Sequence, residues 1–180
     1  MKKSFQIIGL PIICLMDGEE AGTVKDLVIN AKSGRLAALL VLVNDGQRLS
    51  GKLLSFSAIV GFGDHAITIR KAADIIDINT AKELEQLLIE NVKVIGTNVL
   101  SELGILKGQV VEIFINDDGT IAGCEVNGKD ESVFCIPMQQ ILAFGEKVLV
   151  VSEEPNNSKT TASFSKITKS FQKVMRSLVN

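Results

Sequence analysis

FSAIVGFGDHAITI, running from Phe56 to Ile69, is echoed later in the chain by MQQILAFGEKVLVV, from Met138 to Val151. Ile59 falls on Ile141, Phe62 on Phe144, Gly63 on Gly145 and the acidic Asp64 on Glu146, and an apolar strand-like run follows in both. Internal self-similarity of this length sets the architecture before any local reading does. Upstream the match continues: Gly22, Val24, Asp26, Leu27, Ile29 and Asn30 align with Gly108, Val110, Glu112, Ile113, Ile115 and Asn116. After a one-residue difference in the turn, Gly34, Leu36 and Ala37 meet Gly119, Ile121 and Ala122. Each copy spans roughly 70 residues, near the lower limit for a unit that folds alone.

Each copy reads mostly as strand. Val24 to Asn30 and Leu36 to Val43 flank a Gly-containing turn, and Gln109 to Ile115 and Ile121 to Val126 flank Asn116 to Thr120, where Asp118-Gly119 is a strong hairpin signal. Asn44-Asp45-Gly46 and Asn127-Gly128 mark a second reversal at equivalent places. Short strands with little room for crossover helices argue for a mainly β fold in two tandem copies, each a small antiparallel barrel or sandwich. With 46% hydrophobic but only 4% aromatic residues, all of them Phe, the cores must be built from Val, Ile and Leu.

Between the copies the period changes. Thr80-Ala-Lys-Glu83 has capping-box form, and Leu84, Leu87 and Leu88 follow helical spacing, which predicts a connecting helix packed against the barrels. The expected plan is a first barrel over 1–79, the helix over 80–91, a second barrel over 92–153, and a flexible link with a basic amphipathic helix over 154–180.

That last segment departs from the repeat. Glu153 to Ala162 contains Pro155, Asn156, Asn157 and Ser158, a linker composition. Beyond it Phe164, Ile167, Phe171, Val174 and Leu178 recur at helical intervals, with Ser163 as N-cap and Lys166, Lys169, Lys173 and Arg176 on the opposite face. Residues 154–180 carry five basic and one acidic side chain, a net of +4, so with −2 for the whole chain the remainder carries −6. These nine residues are the candidate contact site: for a protein partner's groove, for an anionic membrane surface, or for the chain's own barrels or those of a second subunit. Nucleic acid is disfavoured by the acidic body and a sequence pI near 5.5.

The search for chemistry yields little. Gly61-Phe-Gly63-Asp-His-Ala66 carries the letters of a dinucleotide fingerprint, but strand-like Ile67 to Ile69 follows where a helix should open. Asn116-Asp-Asp118-Gly119 is too short for a calcium loop and is accounted for as a turn. His65, the only histidine, has no nucleophile partner, and its counterpart is Lys147. Cys14, Cys124 and Cys135 have no paired spacing and are expected to be reduced, core-filling thiols in a cytoplasmic setting. No enzyme activity, cofactor or metal is expected. The longest apolar stretch, Leu36 to Val43, is short of the ~20 residues a spanning helix needs, and no secretory signal is read at the start.

The entry Gly22 to Gly34 and Gly108 to Gly119, Gly-x-Val-x-Asp/Glu-apolar running into a hairpin, and the closing runs Ile59 to Ile69 and Ile141 to Val151 resemble the PRC-barrel family. That domain forms the cytoplasmic part of the photosynthetic reaction centre H subunit and the C-terminus of a ribosome maturation factor. The resemblance covers about three quarters of the chain. It implies a small β-barrel that docks to other macromolecules. Neither the membrane helix of the first relative nor the RNA-associated domain of the second is expected here, which leaves the partner open.

Overall fold

The computed structural model describes residues 1–44, 49–90, 92–129 and 131–153. The expected C-terminal link and helix lie outside the described residues. Contacts divide the chain into two units, the first built from Met1–Lys93 together with Phe114–Ile121, the second from Val94–Ile113 and Ala122 onward. The first unit thus reaches past the expected boundary at 79. It takes in the helix and also the tip of a hairpin that the repeat assigns to the second copy.

The first unit opens with β1 (Lys2–Lys3), a single helical turn α1 (Ser4–Ile7) and β2 (Pro11–Cys14). The long hairpin β3 (Glu20–Asn30) and β4 (Arg35–Asn44) follows, then β5 (Leu49–Ser55), β6 (Ile59–Phe62), β7 (Ile67–Ile69), β8 (Ile75–Asp77) and α2 (Lys82–Glu90). Its sheet runs β6-β7-β2-β3-β4-β5-β8. β3 carries extra residues at Lys25 against β4 and at Ala21 against β2, and such bulges bend a long strand so that a sheet can curl. Inward residues Ile12, Val24, Leu39, Leu54, Ile67 and Ile69 are almost wholly buried, the aliphatic core that the composition demands.

The second unit holds β9 (Asn98–Ser101), β10 (Leu106–Ile115) up to Ile113, β11 (Ile121–Gly128) from Ala122, β12 (Val133–Pro137), β13 (Ile141–Phe144) and β14 (Val148–Val151). Its strands run in the order β12-β11-β10-β9-β14-β13; the end of β10 that belongs to the first unit pairs with β1 there, through Lys2↔Ile115 and Lys3↔Phe114. Val99, Val110, Cys124, Val126 and Leu149 fill its inner face.

The two quoted stretches share one geometry. A 3-10 turn, Phe56–Ala58 or Met138–Gln140, leads into a short hairpin. Ile59↔Ile69 and Gly61↔Thr68 in one correspond to Ile141↔Val151 and Ala143↔Val150 in the other, so Val60 and Leu142 are the extra residues of matching bulges. Gly63 N–H donates to Ala66 O at 3.1 Å and Gly145 N–H to Val148 O at 2.9 Å. Upstream, Gly22 and Gly108 also share a cause. A Cβ at Gly22 would lie 2.7 Å from the Leu42 carbonyl oxygen, and one at Gly108 would overlap the Asn127 carbonyl.

Two expectations need correction. The sheets are not purely antiparallel, because β2 runs parallel to β7 and β9 parallel to β14. Each unit's final hairpin returns to its first strand in the same direction, a long-range closure. The helix also starts later than its capping-box letters suggest. Thr80 Oγ1 donates to Asp77 O at 2.6 Å inside a preceding 3-10 turn, and Glu85 N–H donates to Ala81 O, so α2 begins at Lys82. Its leucines do pack: Leu84, Leu87 and Leu88 lie against the core of Val28, Ala38 and Leu53.

Candidate functional site

The motifs with catalytic or ligand-binding letters resolve into structure. Gly61 to Ala66 is the end of β6 and a tight turn into β7, with no helix start at which phosphates could meet free amides. In Asn116 to Thr120 the carboxylate of Asp118 accepts from Thr120 Oγ1 at 2.6 Å and Thr120 N–H at 3.0 Å. The Thr120 side chain, then its N–H, hold the Asp118 carboxyl below its ordinary range, with Arg35 adding to the effect. Arg35 itself donates to Asp118 O at 2.6 Å. Among the described residues no group of three or more His, Cys, Asp or Glu comes together as a metal site. Cys14 and Cys124 are buried, and burial pushes the Cys124 thiol up to about 12, which leaves it protonated.

Sequence reasoning missed an ionic cluster at the start of the chain. Lys2, only 9% exposed, lies in β1 against the β10–β11 hairpin tip. Its Nζ donates to Asp64 Oδ1 at 2.7 Å, lies 3.6 Å from Asp117 Oδ1 and sits 5.4 Å from the Phe62 ring centroid. The Phe62 ring in turn meets Phe56 edge-on at 5.5 Å. Lys2 holds Asp64 below the usual carboxylate range, and Asp64 raises the lysine above its own. Only the Asp64–Glu146 correspondence hinted at this: Asp64 has a lysine to bind, brought from 62 residues away, which no local pattern reveals.

What remains for interaction is apolar and exposed. The bulge residues Val60 and Leu142 are 53% and 57% exposed, and the loop residues Met16 and Leu103, which follow the first strand of each repeat, are 75% and 72%. Exposed apolar side chains at matched places in both units are candidate docking positions. On the outer faces the units differ. In the first, Gly61, Thr68, Ile13 and Glu20 form a row across β6, β7, β2 and β3. In the second, the same row across β13, β14, β9 and β10 is Ala143, Val150, Leu100 and Leu106.

The nine expected contact residues, Phe164, Lys166, Ile167, Lys169, Phe171, Lys173, Val174, Arg176 and Leu178, lie outside the described residues, so no geometry is assigned to them. No described helix is long and apolar enough to cross a membrane. No curated protein matches the chain. The PRC-barrel domain family model matches residues 2–85, which take in β1 through β8 and the first turn of α2. Residues 2–85 are therefore similar to the PRC-barrel domain, as the strand and turn motifs lead one to expect.

Proposed function

We propose that the chain is a tandem pair of PRC-type barrels working as a non-enzymatic docking or scaffold module for a protein partner, in a cytoplasmic setting. The observation that carries this reading is the family match over 2–85, joined to a second segment with the same bulged hairpin and the same exposed apolar positions. Val60 with Met16 offers aliphatic anchors of the kind that seat in a partner's pocket.

Tagged protein from the native cell should retain one partner in stoichiometric amount. Val60→Lys with Met16→Lys should abolish that retention while the urea midpoint holds. Retention indifferent to this pair would defeat the reading.

The +4 tail on an otherwise acidic chain favours a second reading, a protein held at a membrane surface by its C-terminal segment. It requires co-sedimentation with phosphatidylserine vesicles that weakens with salt and with Phe164→Ala/Phe171→Ala. Equal sedimentation without residues 158–180 would reject it.

A further inference from the structure

We infer that the C-terminal segment Ser163–Val179 docks on the second unit of its own chain, its apolar stripe covering the outer face of β13, β14, β9 and β10.

The first argument is the contrast between units. Thr68 and Glu20 occupy the row positions where the second unit has Val150 and Leu106, and both apolar residues are partly exposed. Ile105, 53% exposed, adds to the contrast, whereas Leu142 and Leu103 have apolar counterparts in Val60 and Met16 of the first unit. An outer sheet face needs no such residues for its own fold, since the inner face supplies the core.

The second argument is where the described chain ends. Val151 O accepts from Glu102 N–H, and Glu153 N–H donates to Glu102 Oε1 at 3.0 Å, so the chain leaves the sheet beside the Leu103 loop. Residues 154–162 can reach up to about 30 Å. The stripe Phe164, Ile167, Phe171, Val174 and Leu178 would be about 21 Å long as a helix. Four adjacent strands span about 14 Å between their outer axes. Stripe and row are therefore of comparable extent.

The third is charge. Residues 94–113 and 122–153 hold seven acidic and three basic side chains, a net of −4, against +4 for 154–180. With Lys166, Lys169, Lys173 and Arg176 turned outward, this acts through the summed field and favours encounter.

A rival seat on the same unit is poor. In the first unit α2 packs where Leu40 and Leu53 lie, and the matched positions in the second are Glu125 and Cys135.

The test uses the full chain with p-benzoylphenylalanine in place of Phe171, irradiated in dilute solution as a mixture of isotope-labelled and unlabelled protein. Adducts are expected within one chain, in residues 98–106 or 141–151. Leu106→Glu/Val150→Thr, which installs the first unit's residues at their matched positions, should cut adduct yield about tenfold or more and expose Lys166 and Lys169 to trypsin. The urea midpoint of that variant reports whether the fold survives. If it does not, Leu142→Thr alone, at an exposed bulge, should still lower the yield. Adducts to residues 121–137, to the first unit or to a second chain, no adduct at all, or a yield unmoved in a folded variant would overturn the inference.

Discussion

Gly119→Ala is the substitution whose outcome depends most directly on the placement of the β10–β11 hairpin tip in the first unit. Gly119 has φ +81, a conformation that costs an L-residue about 1–2 kcal/mol. A Cβ there would lie 2.6 Å from Cε1 and 2.8 Å from Cζ of Phe56, so the ring must give way at a further cost of about 1–3 kcal/mol. The expected total is about 2–5 kcal/mol, read by urea unfolding followed by far-ultraviolet circular dichroism. In a Phe56→Ala background the ring is gone and only the backbone cost of about 1–2 kcal/mol should remain. The double-mutant cycle should thus show a coupling of about 1–3 kcal/mol. A cost below about 0.5 kcal/mol, or the same cost in both backgrounds, would refute the packing of this tip on Phe56.

Ile67 and Leu149 occupy matched central positions, pairing with Phe62 and Phe144, and both are essentially buried. Ile67→Ala and Leu149→Ala should each lose about 2–5 kcal/mol in urea titrations, and a negligible loss at either would place that side chain outside the core. Asp64, Asp118 and Glu153 titrate below their ordinary values through Lys2, Thr120 and Lys107 respectively. Folded values below unfolded ones mean that their contribution is present above the ordinary carboxylate range and is lost as pH falls through the lowered values. Asp64→Asn should therefore flatten the acid limb of a urea-midpoint profile, and an unchanged limb would show that the Lys2 pair is not formed in solution. The raised Lys2 value works in the opposite sense, its contribution fading only as pH rises past the ordinary lysine range. Iodoacetamide at mildly alkaline pH should label half-buried Cys135 well before Cys124, and mass spectrometry of the digest reads the order.

Much of the local structure was written in short-range signals. Asp118-Gly119 marked a turn that the structure closes with a Gly119 N–H to Asn116 O bond of 2.9 Å, and the helical spacing of Leu84, Leu87 and Leu88 marked the face that packs. What was not legible depends on closure over distance. A period of two shows that Ile12 and Ile67 face inward, but not that their strands run parallel side by side, because alternation is the same in either direction. The pairing of Lys2 with Ile115 leaves no local trace either. Thr80 shows the limit of a motif: its hydroxyl found a nearer acceptor at Asp77 O, and the capping letters went unused. The difference between outer rows was present in the sequence as Thr68 against Val150 and Glu20 against Leu106. It acquired meaning only once the register placed those residues side by side.

That difference bears on what two similar units accomplish together. Inside, they meet one requirement with one solution: Ile12 beside Ile67 and Val99 beside Leu149 are aliphatic neighbours in parallel strands, nearly sealed from water. The inner rows determine whether a sheet holds, and they leave little room for change. Outer rows carry no such obligation. Two units with the same outer row would present one surface twice and gain only avidity toward a repeated partner. With Glu20 and Thr68 on one face and Leu106 and Val150 on the other, the chain presents two chemically distinct faces on similar frames. A polar face remains soluble uncovered, whereas an aliphatic one calls for a cover. The chain's own supply of Phe, Ile, Val and Leu, joined to that face through residues 154–162, is the cover nearest to hand.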